Sequence, residues 1–237
     1  MRNLLILAHA DDEVIGAASL LLREPADCFL FYLTDSAPDN PYFLERAGFA
    51  TREAYREQRH AELFAALELA GVERRQVVIL PVPDQQAARH VGASVAAVRE
   101  VIDELQPERV FTHAYEGGHP DHDAAAVVAS RCGHRAIFEM PYYHAARGRM
   151  EAGDFVSSNG TEQEWTLTLS EEEAKQRLWD QFVSQRHVFA RFRRGVERYR
   201  PQPAYDFDSP PHARPLYYET RPVGWNFEQW REAIRSV

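Results

Sequence analysis

Two short stretches hold most of the side chains in this sequence that could do chemistry together. The first is His9-Ala10-Asp11-Asp12-Glu13, and the second is His119-Pro120-Asp121-His122. His9 and Asp12 are three residues apart at what reads as a strand-to-helix turn, which can bring both side chains to one point. One imidazole from the later stretch would complete a set of two His and one carboxylate. Three protein ligands with open positions for water describe a catalytic metal site, with zinc the first choice. Iron(II) is the alternative, because the same set forms the facial triad of oxygen-activating iron enzymes. The remaining acids and imidazole would serve the reaction. A metal-bound water needs a base, a collapsing intermediate needs an acid, and its oxyanion needs a positive neighbour. Asp11, beside the ligands, suits the base. His119 with Asp121 reads as an imidazole oriented by a carboxylate and raised toward its charged form. Each stretch alone also has a plain structural reading, as acids capping a helix or as Pro in a first helical turn. Their joint occurrence, each after a strand, favours the site.

The elements that must position these residues are legible from periodicity. The apolar run at 4–8 reads as a buried strand, and 15–22 as a helix that Asp11 or Asp12 is placed to cap. Further strands are expected at 28–33, 77–80, 109–112 and 136–140, with helices at 51–70, 91–105 and 123–130. Leu63, Leu67 and Ala70 share a face of the long helix, and Gly71 suits its C-terminal cap. Residues 37–50 read as a long loop. Strand and helix alternating at this spacing predict an α/β fold: a Rossmann-like three-layer arrangement with a mostly parallel central sheet. Both motifs then lie on the same edge of the sheet, where open α/β sheets build their sites. The last hundred residues are less regular. A strand is expected at 164–169, a helix capped by Ser170 and running to about 192, a proline-rich loop at 201–215, a strand at 216–218 and a short helix at 227–234. No linker or repeat divides the chain, so residues 1–237 are expected to form one domain.

At 237 residues with 45% hydrophobic content, a sizeable core is available. The formal charge of −9 argues against a nucleic-acid partner, which usually leaves a basic footprint. Cys28 and Cys132 lie among apolar or small residues and read as buried free thiols. The opening apolar run is too short for a signal peptide, and no run reaches membrane-spanning length. A cytoplasmic protein acting on a small molecule is expected, with homo-oligomerisation left open.

Ala8-His9-Ala10-Asp11-Asp12-Glu13 and Glu116-Gly117-Gly118-His119-Pro120-Asp121-His122 resemble the paired motifs of the PIG-L/LmbE-like zinc-dependent deacetylases of N-acetylated sugars. That family opens with Ala-His-Pro-Asp-Asp-Glu after the first strand and carries His-Pro-Asp-His later. Thr34-Asp35, Arg59-His60-Ala61-Glu62, Gly71-Val72, Asp84 and Ser184-Gln185 fit the same pattern. The resemblance is close over roughly the first 140 residues and thin beyond. It implies that His9, Asp12 and His122 are the zinc ligands, Asp11 the general base, and His119, held by Asp121, the electrostatic or acid partner. It places Arg59 and Asp84 where relatives contact the sugar. The implied reaction is hydrolysis of the acetamide of an N-acetyl amino sugar (N-acetylglucosamine-type) or its conjugate, by attack of zinc-bound water with release of acetate.

The chain departs from the pattern at four places. Ala10 replaces the usual Pro, and Ser36 a common Gly. Gly117 stands where some relatives have an oxyanion-donating Tyr, with Tyr115 the candidate substitute. Phe182 stands where many have His. Arg59 could equally be a helix-surface charge, Asp84 a turn residue, and His113, Glu116 and His144 borders of the pocket or solvated loop. Two rival functions remain: a non-heme iron oxygenase using the same ligand set, and a non-catalytic sugar-binding protein on the same scaffold, against which the intact Asp11 and His119 argue. A dehydrogenase is disfavoured, because the first turn lacks Gly-x-Gly-x-x-Gly.

Overall fold

The computed structural model describes residues 1–146 and 149–235. In chain order the first half forms β1 (Asn3–Leu7), α1 (Asp12–Gly16), α2 (Ala18–Arg23), β2 (Cys28–Tyr32), α3 (Pro41–Ala47), α4 (Arg52–Ala70), β3 (Val77–Ile79), α5 (Val91–Leu105), β4 (Arg109–His113), α6 (Pro120–Arg131) and β5 (Ile137–Met140). The second half adds β6 (Tyr143–Ala146), β7 (Arg149–Ala152), β8 (Gln163–Thr166), α7 (Leu169–Trp179), α8 (Arg186–Phe189), β9 (Val196–Pro201) and α9 (Phe227–Arg235).

The central sheet runs β3-β2-β1-β4-β5-β9-β8. The pairings from β3 to β5 are all parallel, whereas β9 and β8 are antiparallel additions. β1 is buried along its whole length. Its side chains alternate between faces, as a strand requires. Leu4 and Ile6 join a core beneath α5, α6 and α9, whereas Leu5 and Leu7 join one with α2, α4 and α7. This makes the three layers. Because β1 lies between β2 and β4, the strand order reverses there, and the carboxyl ends of β1 and β4 flank the switch point where such sheets bind ligands. His9 follows β1, and the His119 motif follows β4. Among the described residues no helix is long and apolar enough to cross a membrane.

Several expected elements are corrected. The helix expected at 15–22 is two short helices breaking at Ala17, and neither Asp11 nor Asp12 caps with its side chain. The loop at 37–50 contains α3, because Asn40 accepts from the Tyr42 amide and Pro41 occupies the first helical turn. α6 begins three residues before the expected start, with His119 as its cap. α7 is capped by Thr168 in a capping box with Glu171, not by Ser170, and stops at Trp179. Residues 217–220 form a 3-10 turn in place of the expected strand. β9 has no expected counterpart. Its outward and inward positions both carry charge: Glu197 pairs with Lys175, Arg198 with Glu164 and Arg200 with Glu139, so the hydrophobic alternation of a strand is missing. β6 and β7 pair antiparallel as a separate two-stranded sheet; residues 147 and 148 lie outside the described residues.

Candidate metal centre

β1 delivers its ligands through a turn that two hydrogen bonds hold. The His9 amide donates to Asp12 Oδ2 at 2.7 Å, and the Ala10 amide donates to Ser36 Oγ at 2.7 Å. Asp11 takes the left-handed conformation (φ 117°), and its amide donates to Glu13 Oε2 at 2.9 Å. Burial and the neighbouring Asp11 push Glu13 up to about 8.

α1, which carries Asp12, is five residues long and cannot satisfy its own carbonyls. Glu13 O accepts from the Ala17 amide at 3.1 Å. Three others are met from the far half of the chain, each at 2.8 Å. Tyr142 Oη donates to Asp12 O, Trp179 Nε1 to Val14 O and Lys175 Nζ to Ile15 O. Lys175 and its partner Glu197 are fully buried, 2.7 Å apart. The helix of the first motif is therefore fixed from behind by Tyr142 and α7.

The second motif is held as tightly. Asp123 Oδ1 accepts the amides of Glu116 and Gly117, closing the loop over the start of α6. Glu116 Oε1 accepts the amides of Tyr142 and Tyr143 at 2.6 and 2.9 Å. Gly118 is required here, since a Cβ would lie 1.8 Å from the Tyr143 carbonyl oxygen.

The two motifs meet. Asp12 Oδ2 lies 3.7 Å from His9 Nδ1, and Asp12 Oδ1 lies 3.4 Å from His122 Nε2. His9, His119 and His122 have ring nitrogens within 4.8 Å of one another. Two ligand atoms about 2.1 Å from one tetrahedral ion stand about 3.4 Å apart, so these spacings fit a metal better than a hydrogen-bonded cluster. Among the described residues, two further groups close to 4.8 Å: His9-Asp84-His119-Asp121 and Asp12-His113-His122. No single set of one atom each from His9, Asp12 and His122 is among them, although every pair is close.

Chemistry separates the roles. His113 Nε2, 3.3 Å from Asp12 Oδ2, already accepts the Ala8 amide at 3.1 Å. That lone pair is spent, so His113 is not free to ligate through Nε2, and its ring stacks on His122 at 4.1 Å. The Nε2 of His9 faces Asp84 at 3.0 Å and Asp121 at 3.1 Å. A carboxylate behind one ring nitrogen fixes the tautomer that presents the other to a metal. The Asp121 carboxylate also accepts the amides of Gln85 and Ala87. It is thus turned to His9, not to His119 as the sequence suggests. His119 Nδ1 instead accepts the Asp121 backbone amide at 3.2 Å, leaving its Nε2 to carry the proton, 3.6 Å from Asp84 Oδ1.

Electrostatics follow burial and these partners. Burial opposes charge on His9, yet Asp84 and Asp121 hold its pKa well above the ordinary value. Burial also works against an ionised Asp12, but His122 and His113 hold it well below the ordinary value. His122 is lowered by burial and His113, and His119 by burial and His9, opposite to the charged His119 expected from sequence. Burial pushes Asp11 up to about 7 against the pull of Arg59.

Arg59 lies on the buried face of α4, where its Nη2 is 3.2 Å from Asp11 Oδ2 and also donates to the Ala10 carbonyl. It is not a helix-surface charge. Asp84 stands between His9 and His119. Tyr115 is not brought to the cluster. Its ring packs against Tyr205, Phe207 and Trp230, and its hydroxyl donates to the Ser209 carbonyl. His113 and Tyr142 are the residues that sequence undervalued. The uninterrupted β4 pattern running into His113, with no turn residue before it, was the available signal.

A profile of the PIG-L family, described as GlcNAc-PI de-N-acetylase, matches residues 4–132. A search of curated proteins finds no match. Among solved structures, a teicoplanin deacetylase in its zinc-inhibited form is 17% identical with a TM-score of 0.64, covering 85% of this chain and 97% of its own. The N,N'-diacetylchitobiose deacetylase of Pyrococcus horikoshii is 15% identical with a TM-score of 0.55, covering 83% of each chain. A 4-carboxy-2-hydroxymuconate hydratase from Pseudomonas putida KT2440 is 16% identical with a TM-score of 0.61, covering 87% of this chain and 97% of its own. At such identities the likeness establishes the fold, and the hydratase shows that the fold alone does not name a reaction.

Proposed function

The chain belongs to the PIG-L, GlcNAc-PI de-N-acetylase, family, and from that premise we propose that it is a metal-dependent hydrolase removing the acetyl group from an N-acetyl amino sugar or its conjugate. The observation that carries this reading is the convergence of His9, Asp12 and His122, with Asp12 3.7 and 3.4 Å from the two imidazoles, beside the Arg59-held carboxylate of Asp11 and the imidazole of His119. His9, Asp12 and His122 would hold the ion, zinc by donor type and iron(II) as the alternative. When bound, the ion supplies Lewis-acid polarisation of the acetamide carbonyl and lowers the pKa of water.

The protein's own groups do the rest. Asp11 accepts the proton of the attacking water; its raised affinity for protons suits a base that must later pass one on. Arg59 holds that carboxylate in place. His119, neutral with its proton on Nε2, donates to the oxyanion or to the departing nitrogen. The C–N bond breaks, acetate is released, and the sugar leaves as the amine. Asp121 and Asp84 fix His9, and Asp84 and Arg59 lie close enough to the centre to border the sugar. We take residues 1–237 as one functional unit, because β8 and β9 extend the sheet that carries both motifs.

The test is acetate release from a panel of N-acetylglucosamine conjugates, using chelated, zinc-reconstituted and iron(II)-reconstituted protein. Acetate that appears only with metal supports the reading, and the better ion names the cofactor. No acetate from any conjugate, with metal stoichiometrically bound, would overturn it.

A further inference from the structure

The backbone around the centre is held in conformations that residues with a side chain seldom take. Among the described residues four other than glycine have positive φ: Asp11, Ser36, Gln85 and Gln106. Gln106 caps the end of α5. The other three bear on the centre. Asp11 is the proposed base, and Ser36 takes up the Ala10 amide. Gln85, at φ 72°, sends its amide to Asp121 Oδ2 at 2.6 Å. That same oxygen lies 3.1 Å from His9 Nε2. Left-handed backbone is unfavourable for a residue with a Cβ and persists only where the surroundings impose it. What imposes it at Gln85 therefore bears on the proposed ligand His9.

The tether is Trp225. Its Nε1 donates to the Gln85 carbonyl at 2.7 Å. The indole is 6% exposed, and Arg89 lies over its ring at 4.7 Å, so ring and N–H are both fixed. The link runs through the backbone of Gln85, from its carbonyl on Trp225 to its amide on Asp121. Asp121 Oδ1 is held separately by the Ala87 amide at 3.0 Å, so the Gln85 amide governs the oxygen that faces His9. Asp84, the residue before Gln85, stands 3.0 Å from the same His9 nitrogen. A shift of this turn thus withdraws two supports from one imidazole. A buried indole N–H needs an acceptor somewhere; here the acceptor is the turn that orients a proposed ligand. Trp225 lies outside residues 4–132, which match the family profile.

We propose that Trp225 is a positioning residue for the metal centre: its indole N–H holds Gln85 left-handed, so that the Gln85 amide fixes the Asp121 oxygen that orients His9. The inference rests on His9 being a metal ligand, as the deacetylase reading has it. Without the indole N–H, Gln85 relaxes toward ordinary backbone conformations and Asp121 Oδ2 loses a donor. His9 then presents its other nitrogen less well, and the loss falls on metal affinity.

The test is a double-mutant cycle read as zinc affinity, by competition with a chromophoric chelator, so that no turnover is needed. Trp225→Phe keeps a ring in place and removes the N–H. It should weaken zinc about 10-fold, the lower end of what outer partners of a ligating His contribute. Glycine takes positive φ at little cost. In the Gln85→Gly background, which retains both backbone groups, Trp225→Phe should therefore weaken zinc only about 3-fold or less. A purely structural role would lower the urea midpoint of the metal-free protein and leave zinc affinity unchanged. Unchanged affinity in folded Trp225→Phe, or an equal or larger loss in the Gln85→Gly background, would overturn the proposal. If Trp225→Phe does not fold, the same cycle is run with benzothienylalanine at position 225, which keeps the ring shape and replaces N–H by sulfur. Wild type that fails to bind zinc would remove the zinc centre and this proposal together. The expected coupling, with no acetate from any conjugate, would sink the deacetylase reading and leave the relay standing.

Discussion

The parallel half up to Met140 and the remainder from Pro141 onward contribute to the same centre in opposite ways. The first half supplies every proposed donor atom and the base, on turns that follow β1 and β4. The second half supplies none of these. It supplies instead the Tyr142 hydroxyl, the Trp179 indole and the Lys175 ammonium, which take up three carbonyls of the helix bearing Asp12. The difference teaches that ligand identity and ligand position are encoded in separate parts of this chain. A one-turn helix at a strand end is a flexible mount by itself. Here its rigidity comes from side chains 130 to 165 residues away.

That division can be broken or sharpened by substitution. The largest effect is expected in the first half: Asp11→Asn should keep stoichiometric metal yet lose about 10²–10⁴-fold in turnover, checked by metal analysis alongside acetate release. His122→Ala should fail at the earlier step and lose bound metal; full metal content in that variant would move the ligand role to another imidazole. Next comes Lys175→Met in the second half. It strands Glu197 among buried groups and should cost about 3–5 kcal/mol of stability, read as a shift in the urea midpoint. Trp179→Phe keeps the ring but leaves the Val14 carbonyl unpaired, a loss of about 1–3 kcal/mol. Its turnover per metal-loaded molecule should fall far less than that of Asp11→Asn. If Trp179→Phe instead left the midpoint unchanged and abolished turnover, the proposed division of labour would fail. The smallest effect is expected for Ser36→Ala, about 1 kcal/mol for one hydrogen bond, on the same urea curve.

The same contrast explains what the sequence made legible. β1, β2 and β4 are buried on both faces and read as apolar runs, so the parallel sheet and the meeting of its two motifs followed from periodicity alone. β9 was invisible because Glu197, Arg198 and Arg200 are matched by partners remote in sequence, and a pairing of charges leaves no periodic trace. The orientation of Asp121 was equally hidden. Its carboxylate is two residues from His119, yet it turns to His9 because the amides of Gln85 and Ala87 converge on the same oxygens. Tyr115 looked available because it borders the motif, but sequence proximity says nothing of the aromatic cluster that encloses it. His113 read as a loop residue because a buried histidine at a strand end has no pattern of its own.

The hydrogen bond between the Ala10 amide and Ser36 has an evolutionary consequence. In the resembling family a proline at the first position has no amide hydrogen to satisfy, and a glycine at the second offers no hydroxyl. The two departures therefore answer each other: the amide exposed by one is taken up by the hydroxyl of the other. A lineage reaching Ala10 without Ser36 would carry an unanswered donor at the mouth of its centre, and one restoring proline beside Ser36 would strand the hydroxyl. The Ser36 hydroxyl thus does at the second strand end the work that a ring without an amide hydrogen would make unnecessary at the first.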